Sequence, residues 1–116
     1  MRFVLAVLTI LLGTLAYAQQ EQVYVVTHID LLPAGVNPGV AALKQLTAET
    51  AKEKDCVRFE VMQQDGRPNH FTVVGVWKDR KAFEAHDAAA YVREFREKLM
   101  PYIGSPWDER LHKLVQ

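Results

Sequence analysis

His86 is the residue in this chain best suited to moving a proton, because an unperturbed imidazole titrates at about 6.5 and can accept or donate near neutrality. Phe83 stands three residues before it, so the two fall on or beside the apolar face of a helix through this segment. His86 therefore reads either as a base pointing into the space between helix and sheet, or as a core-edge or solvent-facing histidine. Trp77 offers a broad wall for a flat ring and one N–H donor, and Asn69 offers both a donor and an acceptor. Trp77 reads equally as plain core, and Asn69 as a turn residue. His28 and Asp30 share one face of a strand, where they form either a base with its orienting carboxylate or a polar strand edge. Phe71 could extend an aromatic wall. Tyr91 could hydrogen-bond a substrate oxygen or complete a helix–sheet core. Arg96 could contact substrate or form a structural ion pair with Asp108. His70, Arg93, Arg110 and His112 are weaker candidates.

Other chemistries lack their residues. The four histidines are scattered singly, without metal-ligand spacing, so no metal site is expected. There is no glycine-rich phosphate loop and no G-x-S-x-G, and nothing supports flavin or nicotinamide. Cys56 is the only cysteine, which rules out an internal disulfide. With Val57 and Phe59 beside it as apparent core, it reads as a buried free thiol.

The elements that must position these residues follow from periodicity. Val23 to Leu32 alternates as a first strand, with Val25, Thr27 and Ile29 on one face and Tyr24, Val26, His28 and Asp30 on the other. Pro33-Ala34-Gly35 and Asn37-Pro38-Gly39 break it. A helix is expected from about Pro38 to Lys54, with Val40, Leu43, Leu46, Thr47 and Ala51 as its apolar stripe. Lys44, Glu49, Lys52 and Glu53 then form its solvated face. Cys56 to Gln64 is the second strand, and the Asp65-Gly66-Arg67-Pro68 turn leads into the third at Asn69 to Lys78. So short a loop can only make an antiparallel hairpin. The third strand is apolar on both sides, as a strand buried on two faces should be. Asp79 can cap a second helical region running to Met100, with a break near Asp87 to Ala90. Trp107 to Val115 closes the chain as a last strand.

Ahead of all this, Arg2, the apolar run Phe3–Leu12 and Ala16-Tyr17-Ala18 read as an export signal cleaved after Ala18. The run is short for a bilayer span of about 20 residues. The mature domain, residues 19–116, is then periplasmic or secreted, with no membrane attachment after cleavage. The whole chain has 14 basic and 14 acidic residues, and losing Arg2 leaves a formal charge of −1. Such a balance gives no reason to expect nucleic acid as a partner.

The order β-α-β-β-α-β is a ferredoxin-like α+β arrangement, a four-stranded antiparallel sheet with its helices on one face. The other face still carries apolar residues, and a second copy of the chain is the simplest cover. A homodimer through the sheet face is expected.

Asn69-His70-Phe71 through Trp77, then Phe83-x-x-His86 and Phe95-Arg96-x-x-Leu99, resembles the antibiotic biosynthesis monooxygenase family, and Cys56–Val61 resembles that family's second strand. The likeness runs over roughly residues 23–115. It implies a dimeric α+β barrel and a cofactor-independent monooxygenase that acts with O2 on a small aromatic quinol or phenol. By the same likeness His86, Asn69 and Trp77 would be catalytic, while His28, Phe71, Tyr91 and Arg96 are the candidates for binding substrate, His28 also as a reserve base. In haem-degrading relatives a histidine on the second helix ligates iron and an Asn sits on the first strand; His28 stands near that place here, which argues against haem degradation. The alternative reading is a non-catalytic, extracytoplasmic dimer that binds a small ligand, haem included.

Overall fold

The computed structural model describes residues 21–116; the export signal read over residues 1–18 lies outside the described residues. The elements are β1 (Val23–Asp30), α1 (Val36–Thr50), β2 (Cys56–Gln64), β3 (Arg67–Trp77), α2 (Arg80–Asp87), α3 (Ala90–Leu99) and β4 (Asp108–His112). Short 3-10 turns, Pro33–Gly35 and Met100–Tyr102, lead into α1 and out of α3. The strands form one antiparallel sheet in the order β2-β3-β1-β4, which is the ferredoxin-like topology.

Period-2 alternation sets which residues face the helices. On β1, Val25, Thr27 and Ile29 are buried and His28 is exposed on the opposite face. Phe71, Val73 and Trp77 of β3 lie on the same inner side, and pair across to Ile29, Thr27 and Val23. Leu43 and Leu46 of α1 and Val92, Phe95 and Leu99 of α3 close over that face to form the main core. Fully burying side chains of this size contributes about 1.5–3 kcal/mol each.

The first strand ends at Asp30 rather than Leu32 and the last covers only Asp108–His112, not Trp107 to Val115; four further differences from the sequence reading have a local reason. Helix α1 begins at Val36, so Asn37-Pro38-Gly39 are its first turn rather than a break. Proline is tolerated there because its missing N–H has no helical partner anyway. The same helix stops at Thr50, not Lys54, and Ala51–Asp55 becomes a connecting loop. The hairpin turn is only Asp65-Gly66, with Gly66 at φ 77, so Arg67 and Pro68 already belong to β3. Val57, expected in the core, is exposed, because a register shift between Cys56 and Arg58 turns it outward. Cys56 beside it is only half-buried.

The second helical region is two helices, broken at Ala88-Ala89. Asp79 caps the first of them, its Oδ1 accepting from Ala82 N at 2.7 Å. That cap sets the phase of α2, and the phase puts Phe83 and His86 inward together.

Candidate functional site

The α1–β2 loop carries the residue around which the site is built. Glu53 N donates to Thr50 O at 3.0 Å and Cys56 N donates to Glu53 O at 3.2 Å, which fixes the loop on both sides of Glu53. Its carboxylate turns in beneath α2. His86 Nδ1 lies 2.6 Å from Glu53 Oε2, and Trp77 Nε1–H donates to Glu53 Oε1 at 3.2 Å. The Tyr91 hydroxyl donates to Glu53 Oε2 as well, with Thr50 Oγ1 3.4 Å from the Tyr91 oxygen. Three donors from α2, β3 and α3 thus converge on one carboxylate. Burial first, and then the bond to Glu53, raise the Tyr91 phenol well above a tyrosine's ordinary range, so it stays a donor.

This arrangement orients His86. With Nδ1 pointing at a carboxylate, the proton of a neutral ring sits on Nδ1 and the lone pair on Nε2. His86 is only 7% exposed. Its ring centroid lies 4.5 Å from that of Trp77 and 6.1 Å from that of Phe59, and Trp77 meets Phe83 edge-on at 5.3 Å. Gly75 makes room for this packing, since a Cβ there would overlap the Trp77 ring.

His86 and Trp77 line a cavity between the helices and the sheet, about 420 Å³ when the solvent at its mouth is counted. Its enclosed part is only about 40 Å³, a narrow slot. Its walls are mainly Val25, Ile29, Leu46, Phe59, Val73, Phe83, Val92 and Phe95. A second polar group sits elsewhere on the same walls: Thr27, Arg96, Trp107 and Glu109. Arg96 pairs with Asp87 and lies 3.7 Å from Glu109 Oε2. Burial, followed by the charge of Asp87, pushes the Glu109 carboxyl above its ordinary value, and Arg96 opposes this.

The other candidates lie apart from the slot. Asn69 Nδ2 donates to Leu31 O at 2.8 Å and ties β3 to the chain leaving β1. Phe71 faces a separate, more open groove with Leu43 and Val61, whose walls carry Lys44 as their one titratable group. His28 is on the open face, 3.2 Å from Thr72 Oγ1, and its expected partner Asp30 instead pairs with His70 at 2.7 Å and accepts from Ser105. The expected Arg96–Asp108 pair is absent. Asp108 pairs with Arg110 at 2.8 Å, and alternation along β4 brings its neighbour Glu109 to Arg96 instead. Among the described residues no group of three or more His, Cys, Asp or Glu could hold a metal ion.

Sequence reasoning missed Glu53, which it assigned to a solvated helix face, and it treated Trp107 only as an apolar strand residue. The family model for antibiotic biosynthesis monooxygenases matches residues 22–98. The chain belongs to that family.

Solved structures bear out the fold. One described as an antibiotic biosynthesis monooxygenase superposes with a TM-score of 0.78 at 18% identity, covering 81% of this chain and 99% of that one. A conserved protein from Methanosarcina mazei gives 0.76 at 22% identity, covering 85% and 98%. A protein from Shewanella oneidensis gives 0.72, also at 22%, covering 83% and 95%. An uncharacterized protein of Synechocystis is 21% identical over 96 residues, 83% of this chain. The match spans 65% of that relative's length.

Proposed function

We propose that this member of the family is a cofactor-independent monooxygenase for a small aromatic phenol or quinol, with His86 as the base. The observation that carries this reading is the Glu53–His86 pair, whose buried imidazole lies on the wall of a slot lined mainly by apolar and aromatic side chains. Nε2 of His86 accepts the phenolic proton, and the imidazolium that forms is stabilised by Glu53 through Nδ1–H. The electron-rich anion then reacts with O2. One oxygen atom ends in the product as a new carbonyl and the other leaves as water, which takes the phenolic hydrogen and the hydrogen of the attacked carbon. The protein's contribution is a base, an orientation and a dry cavity. Trp77 and Phe59 supply the aromatic wall, while the Trp77 N–H is engaged with Glu53.

The homodimer belongs to the same reading. Val26 and Val74 sit at the middle of the open sheet face, with Glu60 beyond them on β2 and Arg110 on β4. Apolar centre and charged edges of both signs suit a second copy of the same face.

The test is oxygen uptake by the purified protein on a panel of phenols and quinols, with spontaneous oxidation subtracted. His86→Ala should lower saturable uptake at least roughly tenfold, about 1.4 kcal/mol of barrier, without loss of the fold. Stoichiometric binding with uptake no faster than buffer would favour the alternative, a small-ligand binding module that uses the same slot.

A further inference from the structure

Trp107 stands directly before β4, lines the slot and packs its ring edge-on against Phe95 at 5.4 Å. Its Nε1 is buried and, among the described residues, has no hydrogen-bond partner. A buried donor left unsatisfied is costly, and because the Trp107 side chain belongs to the cavity wall, an acceptor on a molecule entering the slot would relieve it. The charges beside it constrain that acceptor. Arg96 is the one cation in that part of the wall, and it is shared between two carboxylates, Asp87 and Glu109. Formal charge there is −1, and Glu53 adds another carboxylate behind His86. The Arg96 guanidinium is therefore already neutralised.

Building on the monooxygenase reading of the same slot, we propose that Trp107 selects the substrate: its N–H donates to a carbonyl oxygen of an uncharged, single-ring hydroxyaryl ketone or quinone-type phenol. Aromatic carboxylates are disfavoured, because a third negative charge would meet Asp87 and Glu109. The slot is narrow and has to widen to admit even one ring, which favours a single flat ring over fused ones. Trp107 is thereby a specificity residue, and its partner is the substrate oxygen that is not deprotonated by His86.

Three isosteric probes read this directly by calorimetry at neutral pH: 4-hydroxyacetophenone, 4-ethylphenol and 4-hydroxybenzoate. The ketone should bind about fivefold more tightly than the ethyl compound, the usual scale of one neutral hydrogen bond. In Trp107→Phe, which keeps a ring and removes the N–H, that preference should fall to near unity. The benzoate should bind more weakly than the ketone, with the gap narrowing in Glu109→Gln. An independent reading in the unaltered protein is the pair of indole N–H resonances from its two tryptophans. One should move downfield with the ketone and stay in place with 4-ethylphenol.

An unchanged ketone preference in folded Trp107→Phe would overturn the proposal, and would mean that water alone satisfies the N–H. Two indole signals indifferent to the ketone, or no binding by any probe, would overturn it equally. The two readings fail separately. Oxygen uptake without Trp107-dependent selectivity sinks this inference alone, whereas Trp107-dependent selectivity without oxygen uptake sinks the oxygenase.

Discussion

Two histidine–carboxylate pairs with almost the same geometry occupy opposite faces of the sheet. His86 and Glu53 lie 2.6 Å apart on the helix side, and His70 and Asp30 lie 2.7 Å apart on the open side. Their surroundings differ. Glu53 also receives Trp77 and Tyr91, and His86 is buried against aromatic rings at the wall of a slot. At the second pair the side chains of His70 and Asp30 are 21% and 37% exposed, against 7% and 24% for His86 and Glu53. Water screens such a pair and competes with it. A short imidazole–carboxylate contact therefore says little by itself; convergence of further donors, burial and a neighbouring cavity give it consequences.

The comparison can be broken by removing one partner of each pair. Glu53→Ala should cost about 2 kcal/mol, because it leaves the donors of His86, Trp77 and Tyr91 without their acceptor at once. For a domain of this size that is a fall of roughly 10 °C in melting temperature. A loss of under a degree would show that the cluster is decorative. The smallest effect is expected at the other pair: His70→Ala should change stability by less than about 1 kcal/mol and leave oxygen uptake unchanged. A large loss of uptake there would erase the distinction between the two faces.

Between these extremes lies Glu109. Its folded pKa is raised, chiefly by burial, so its ionisation works against the fold. Its carboxyl is compatible with the fold when protonated, below the unfolded value, and it costs stability as pH rises through the folded value. Glu109→Gln should accordingly melt higher than the parent at pH 7, with the gain vanishing at acid pH near 4. Thermal melts at both values check the sign; destabilisation at pH 7 would show that the Arg96 contact outweighs burial.

The β-α-β-β-α-β succession and the phases of its elements were legible because they depend on short-range patterns, whereas spacing alone leaves the orientation of His86 open between the slot, the core edge and solvent. Thr27 and Ile29 alternate with His28, Asp79 stands where a cap belongs, and Ala88-Ala89 breaks the helix in the expected window. Glu53 was not legible for a specific reason. A helix continued to Lys54 places it among Lys52 and Glu49 on a solvated face, but the real helix ends at Thr50 and the loop turns Glu53 inward. A helical wheel carries no information past the last helical residue. Arg96 shows a related limit. Its partner on β4 is one residue from the expected Asp108, and in a strand one residue is the opposite face. Chemistry in this fold is assembled by loop ends and strand register, the features local pattern specifies least.

The central claim is that Glu53 and His86 act as one unit in proton abstraction. A double-mutant cycle on oxygen uptake tests it most directly, using His86→Ala, Glu53→Gln and the double variant, each checked for fold by its melting transition. The account predicts that each single change slows uptake and that the double variant is no slower than His86→Ala alone, because Glu53 works only through the imidazole. Losses that multiply independently, or full uptake in Glu53→Gln, would contradict it.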